Sequence, residues 1–429
     1  MSVLYDSLGV DSLLQVMAYM NVKTLARMAC SSRLGAVAAY EAQQQPALLV
    51  LKGSPEQVAK DLCERLTARP TVAFLQWALG REKREDEGRK EVIDFLQKRL
   101  PPTTEVIAAH TESNHCAWFR ENPIPDSKKP PTTQLDIAGH RLTSTFEISV
   151  LLATLPEAKA HAFHIKPPPG RVVDDDSDED SYSSEGGEKA KPATAENKAG
   201  YERAGAESTA VEKDPLEDLL SMDPPPEVVV IHHAARTHRT IDQIQAKFPK
   251  AAIIGGVVMG GKVIARSNGK EMSHGSGLGV LAISGNAPLF AMTCPFEGDP
   301  KEAYDYVKSS LKRATDYATE KDERLLGALL FTCNGRGASM FGKHGMDAAL
   351  FQAEFPNSQL LGYYAGGEIG PAAESTVKKQ TFLRGNAQMQ GFTAVYGVFC
   401  VPRKHAPSAA FSRAILYGEV EEAFKEISA

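Results

Sequence analysis

Three times along the chain a β-rich apolar run, an amphipathic helical pattern, a bulky residue before proline and a second β-rich run follow one another. The first copy runs from Thr71-Val-Ala-Phe-Leu through Leu100-Pro101 to Glu105-Val-Ile-Ala. The second runs from Glu227-Val-Val-Val-Ile through Phe248-Pro249 to Ala252-Ile-Ile-Gly-Gly, and the third from Gly327-Ala-Leu-Leu-Phe through Phe355-Pro356 to Gln359-Leu-Leu-Gly-Tyr-Tyr. Between the β-rich runs, Val92, Phe95, Leu96 and Leu100, then Ile241, Ile244 and Phe248, then Ala348, Phe351 and Phe355 fall on single helix faces. Thr240 and Gln243 have capping-box spacing, and Asp299-Pro300 with Glu302 reads as the start of a longer helix with Val307, Leu311 and Ala314 inward. Further β-rich runs follow each copy. Phe146–Leu152 and Ala160–Ile165 read as a pair about Leu155-Pro156, and Gly279–Ser284 and Leu289–Thr293 as a hairpin about Gly285-Asn-Ala; Thr381–Arg384 and Gly391–Val401 close the third copy. The predicted class is α/β, with mixed sheets built from repeated strand–helix–strand units.

The pattern divides the chain. Residues 1–42 read as a small all-α unit, in which Asp11 caps a helix carrying Leu13, Leu14, Met17 and Met20. A second helix from Asn21 carries Val22, Leu25, Met28 and Ala29. Helices this short cannot bury both faces alone and must pack on the rest of the chain or on another protein. The first copy occupies 45–165, the second 227–300 and the third 301–405, with an amphipathic C-terminal helix in 406–429. Residues 166–226 read as a disordered acidic insert, opened by Pro167-Pro-Pro-Gly and closed by Pro224-Pro-Pro. Its Asp, Ser, Gly and Lys content buries too little apolar surface to offset about 1–2 kcal/mol of backbone entropy per residue. Within it, Leu216-Glu-Asp-Leu-Leu is a candidate for folding on binding, and Ser177 before Asp178-Glu-Asp suits an acid-directed kinase.

Composition narrows the function. A net charge of -6 argues against broad nucleic-acid binding, which needs clustered cations. The 6 cysteines are widely spaced with no Cys-x-x-Cys, the pattern of a reduced intracellular protein. No apolar run reaches about 18 residues and no secretory signal is visible, so a cytoplasmic or nuclear protein without a membrane partner is expected. His161 and His164 lie in a predicted strand, where i and i+3 face opposite sides, and no ligand spacing completes a zinc set; no metal and no cofactor are expected.

The richest chemistry sits in the third copy. In Phe331-Thr-Cys-Asn-Gly-Arg-Gly337 a strand ends at Cys333 and turns through Gly335 and Gly337, which flank Arg336. The guanidinium is a planar fork for a carboxylate or phosphate, either of a ligand or internal to the protein. Gly362-Tyr-Tyr-Ala-Gly-Gly-Glu-Ile-Gly370, with Tyr364, Gly367 and Glu368, follows the next strand. If the two strands are parallel, both loops leave the same sheet edge, where open α/β sheets bind ligands, and Arg336 and Glu368 become neighbours in a pocket or a salt bridge. Neither glycine run has phosphate-loop spacing, and no nucleophile elbow or Cys/His pair supports catalysis.

These third-copy motifs, with Phe355-Pro356, resemble the C-terminal half of a FIST domain; Phe248-Pro-Lys-Ala-Ala-Ile-Ile-Gly-Gly256 and Gly279-Val-Leu-Ala-Ile-Ser-Gly resemble its N-terminal half. Residues 8–40 resemble an F-box, and the order is similar to that of F-box-only proteins bearing a FIST domain. The resemblance implies a non-catalytic substrate receptor of a Skp–cullin–F-box ubiquitin ligase. Leu13, Leu14, Met17, Met20, Leu25 and Met28 would dock on the Skp-family adaptor and through it on the cullin scaffold. The FIST region would hold the protein to be ubiquitinated, raising its effective concentration near the conjugating enzyme. In bacterial relatives the FIST domain is proposed to sense small ligands. The alternatives are a ligand-sensing FIST protein without a ligase role, or an enzyme using Cys333 or Arg336 and Glu368.

Overall fold

The computed structural model describes residues 46–402 except 67, 80–83, 112–113, 119–133, 139–145, 167–213, 235–237, 268–272, 286–288, 296–298, 357 and 373–386. The helical unit at 1–42, Ser177, Thr381–Arg384 and the C-terminal helix lie outside the described residues.

All three expected strand–helix–strand units form. The first unit contributes β1 (Ala47–Gly53), β2 (Val72–Ala78), β3 (Glu105–His110), β4 (Asn114–Trp118), β5 (Gln134–Ala138) and β6 (Glu147–Thr154). The second contributes β7 (Lys159–Ile165), β8 (Val228–His233), β9 (Ala252–Val257), β10 (Val263–Arg266), β11 (Ser273–Gly275) and β12 (Leu278–Ser284). The third contributes β13 (Leu289–Cys294), β14 (Glu323–Cys333), β15 (Gln359–Ala365), β16 (Glu368–Pro371), β17 (Ala387–Gln390) and β18 (Ala394–Pro402).

These strands build three six-stranded mixed sheets, ordered β1-β6-β2-β3-β10-β11, β7-β12-β8-β9-β16-β17 and β13-β18-β14-β15-β4-β5. Each sheet has one parallel pair at its centre, β2 with β3, β8 with β9 and β14 with β15, and antiparallel neighbours elsewhere. Each unit keeps four strands for its own sheet and gives a short pair away. The first unit's β4–β5 completes the third sheet, the second unit's β10–β11 the first, and the third unit's β16–β17 the second. The exchange closes a ring, so the tandem repeat becomes a pseudo-threefold body.

This ring corrects two expectations. β6 and β7 do not pair with each other, and neither do β12 and β13: in each case the chain leaves one sheet and starts the next. Adjacency in sequence suggests pairing, but each run has its own long-range partners, such as β6 with β1 and β2, and β13 with β18.

Burial follows from alternation along the strands. One side of all three sheets shares a core containing Val72, Phe74, Val228, Val230, Leu329 and Phe331. The other sides are covered by helices. Helix Glu85–Arg99 buries Val92, Phe95 and Leu96 on the first sheet, helix His238–Lys247 buries Ile241 and Ile244 on the second, and helices Pro300–Glu320 and Met346–Glu354 bury Val307, Leu311, Ala348 and Phe351 on the third. Burying each of the larger side chains among these contributes roughly 1.5–3 kcal/mol. Asp299 caps the long helix as expected, accepting from the Lys301 amide at 2.7 Å. The second helix begins at His238, so Thr240 lies inside it rather than at its cap.

The insert is shorter than expected at its C-terminal end. Asp214 accepts from the Leu216 amide at 2.9 Å and Pro215 opens a helix over Pro215–Leu220. Leu219 is wholly buried against the second sheet, with Leu216, Leu220 and Met222 packed around it, and that apolar contact orders a segment whose polar composition alone pointed to disorder.

Side chains staple two of the three corners in the same way. Gln359 of β15 accepts from the Val50 amide and donates to the Leu48 carbonyl, both at 2.7 Å, which satisfies the edge of β1. Glu105, at the matching position of β3, accepts from the Ala162 amide of β7 at 2.8 Å. The third corner has Ala252 at that position and is closed by apolar contact: a Cβ on Gly397 would lie 2.2 Å from Ile254 Cδ1.

Candidate functional site

Cys333 pairs in register with Ala365, so the glycine-rich loops after β14 and β15 do leave the same sheet edge. The third-unit residues meet there, with different partners from those expected. Arg336 is fully buried and pairs with Asp347 in the first turn of helix Met346–Glu354, Nη2 to Oδ1 at 2.7 Å and Nε to Oδ2 at 3.1 Å. Burial alone would lower its pKa, but the Asp347 carboxylate more than offsets this and holds the guanidinium charged. Its remaining donor, Nη1, reaches the Phe392 carbonyl at 3.2 Å, and Phe341 lies under the guanidinium at 5.4 Å.

Glu368 is also fully buried and does not pair with Arg336. Its Oε2 accepts from the amide and the hydroxyl of Thr393, at 3.2 and 2.9 Å, while Oε1 has no N–H or O–H donor. The thiol of Cys333, which is only partly buried, interacts with the same carboxyl. Burial raises the Glu368 pKa to about 8 against the pull of the Thr393 bonds, so the carboxyl is mostly protonated at neutral pH. Burial, and then the Glu368 charge, also raises the Cys333 thiol. A thiol held in its neutral form is a poor nucleophile.

Cys333, Arg336 and Glu368 therefore converge on one turn, Gly391-Phe392-Thr393. The Cys333 amide donates to the Thr393 carbonyl at 2.9 Å, Arg336 holds the Phe392 carbonyl and Glu368 holds Thr393. Phe392 has φ 57, a left-handed conformation that a bulky residue keeps only when its surroundings impose it. The residue is 57% exposed. Met259, at 44%, is the other large hydrophobic residue exposed among the described residues, and it lies against the Gly366 loop. The glycines make room for both: a Cβ on Gly335 would come 2.8 Å from the Phe392 ring, and one on Gly366 2.8 Å from Met259 Sδ.

Gly337 faces His344, and the Tyr364 hydroxyl accepts from the Gly345 amide, which ties the two loops together. A Cβ on Gly367 would make ordinary contact with Val257 and Met389. Sequence reasoning missed Asp347, Thr393, Phe392 and Met259. Asp347 follows Arg336 on the next helix with no motif to mark it, and Phe392 reads as an ordinary strand residue. Among the described residues no group of His, Cys, Asp and Glu is placed to hold a metal ion.

Residues 279–371 match the FIST C domain, a stretch from β12 through β16 that includes Cys333, Arg336 and Glu368. Gly279–Ser284, placed with the N-terminal half on sequence, falls inside the matched stretch. No F-box family is matched. A stretch of 76 residues, 18% of this chain, is 42% identical to an uncharacterized protein of Mycobacterium bovis and covers 17% of it. An uncharacterized protein of Mycobacterium tuberculosis is 40% identical over 74 residues, 17% of this chain and 16% of that protein. The chain thus spans well under a fifth of the length of these curated relatives.

Proposed function

We propose that this chain is a non-catalytic receptor whose FIST-type body holds a protein partner at the third-unit edge. The supporting observation is the pinned turn at Phe392. Two buried side chains, Arg336 and Glu368, and the Cys333 amide fix an exposed aromatic, with an exposed methionine at the neighbouring Gly366 loop, and aromatic anchors of that kind dominate protein–protein binding energy. The neutral thiol and the committed Arg336–Asp347 pair fit a recognition surface better than a catalytic centre.

The finer reading rests on the sequence of residues 8–40. There, Leu13, Leu14, Met17, Met20, Leu25 and Met28 would dock on a Skp-family adaptor and its cullin scaffold, making the chain the substrate-recognition subunit of a ubiquitin ligase, acting without membrane or nucleic acid. Co-purification with the adaptor tests it: wild type should retain the adaptor and Leu13→Asp/Met17→Asp should lose it. Failure of the wild type to retain the adaptor contradicts the ligase reading. A second reading, a small-ligand sensor, is favoured by Glu368 Oε1, which has no N–H or O–H partner and lies by the part-exposed Cys333 thiol. In that case a metabolite screen would raise the melting temperature of wild type, and Glu368→Val would abolish the rise.

A further inference from the structure

The pseudo-threefold register equates three inward-facing residues. Gln76 pairs in register with Ala109, His232 with Gly256 and Phe331 with Tyr363, each at the matching step of its parallel pair. The residues two positions earlier, Phe74, Val230 and Leu329, all lie in the shared core, so alternation sends Gln76, His232 and Phe331 toward the same interior. The rings of His232 and Phe331 are 6.1 Å apart, so the second and third of these equivalent positions meet across two sheets.

Two of the three equivalent residues are polar, and both leave a buried atom without a partner: Gln76 Oε1 and His232 Nε2. The tautomer of His232 follows from its neighbours. The Tyr363 hydroxyl donates its single proton to the Gly256 carbonyl at 2.9 Å, so the 3.1 Å contact with His232 Nδ1 requires a proton on Nδ1. His232 Nε2 is then a bare acceptor, as is Gln76 Oε1. Leaving one buried acceptor unsatisfied costs about 1–3 kcal/mol, and a single donor between the two would satisfy both. The surroundings are apolar and aromatic, and burial holds His232 neutral by lowering its pKa to about 3. A charged occupant would face the same penalty.

We propose that Gln76 and His232 bind one shared, uncharged hydrogen-bond donor on the axis where the three sheets meet. The donor is a water in the minimal case and a small hydroxyl- or amide-bearing molecule in the fuller one.

The test is a double-variant cycle read by thermal melting of the full chain. Gln76→Met and His232→Phe, the latter copying the third unit's own Phe331, should each lower the melting temperature by several degrees. The double variant should recover to within about 2 °C of wild type, because no acceptor is then stranded. Additive losses would overturn the proposal. If a single variant does not fold, the wild type labelled with 15N-histidine decides it. His232 should carry its proton on Nδ1, with Nε2 shifted as a hydrogen-bond acceptor, and should show either a cross-peak to bound water or a retained small molecule in native mass spectrometry. A bare Nε2 lone pair, or an accepted bond with neither occupant, would overturn it.

Discussion

The second and third units share a scaffold and differ in what they bury at one register position. In the second unit's exchanged pair, Val263 lies opposite Ala109 of the first sheet; in the third unit's pair, Glu368 lies opposite Gly256 of the second. Val263 extends the common core and needs nothing else. Glu368 needs Thr393, disturbs the titration of Cys333 and Tyr363, and stands near the buried Arg336–Asp347 charge pair. Elsewhere the units solve the same problem alike: Gly255 and Gly362 both lie where a Cβ would sit 2.0 Å from a carbonyl of the neighbouring parallel strand. A scaffold repeated three times thus isolates the third unit's polar set as a departure from what folding alone requires. Buried polar groups of this kind carry a stability cost that the apolar version avoids.

The comparison can be broken first at the charge pair. Asp347→Ala strands the buried Arg336 guanidinium and should cost about 3–5 kcal/mol in urea unfolding. Val263→Ala, in the second unit, should cost less, as a small truncation in an apolar core. A smaller loss for Asp347→Ala than for Val263→Ala would remove the distinction between the units. Next is the corner staple: Gln359→Ala strands the Val50 amide and the Leu48 carbonyl and should cost about 1–3 kcal/mol, with faster amide exchange along β1.

The pH dependence sharpens the comparison further. The Glu368 pKa is raised by folding from 4.5 to about 8, so between those values the native state binds more protons than the unfolded state. Its contribution is fully present below pH 4.5 and is lost as pH rises toward about 8, with a slope of at most about 1.4 kcal/mol per pH unit. Unfolding curves of wild type minus Glu368→Gln should show that falling slope, and a rising or flat difference would contradict the buried neutral carboxyl. The smallest effect is expected at Phe392. Phe392→Gly relieves a left-handed backbone and should leave stability unchanged or raise it by about 0.5–1 kcal/mol, while weakening partner capture.

Much of this architecture was legible in the chain. The helix faces at Val92, Phe95 and Leu96 and at Ile241 and Ile244 were visible because 3.6-residue periodicity is local. The shared sheet edge of Cys333 and the Gly366-Gly367 loop followed from parallel pairing. The exchanged strands were not legible, because β10 and β16 pair with β3 and β9, far away in sequence, and no local pattern encodes that choice. The Arg336 partner was missed for a related reason: sheet topology brings Glu368 to the edge, but the helix starting at Met346 puts Asp347 directly against the guanidinium. Leu219 shows the same limit from the other side, since one buried leucine ordered a segment whose composition pointed to disorder.

The central claim is that the third unit's buried polar residues hold the Gly391–Thr393 turn in place, and amide hydrogen exchange of wild type against Glu368→Val tests it most directly. Exchange at Phe392 and Thr393 should accelerate at least about tenfold, the loss of one to two hydrogen bonds, while β14 and β15 keep their protection. Unchanged exchange at 392–393, or loosening spread evenly over the whole third sheet, would contradict the account.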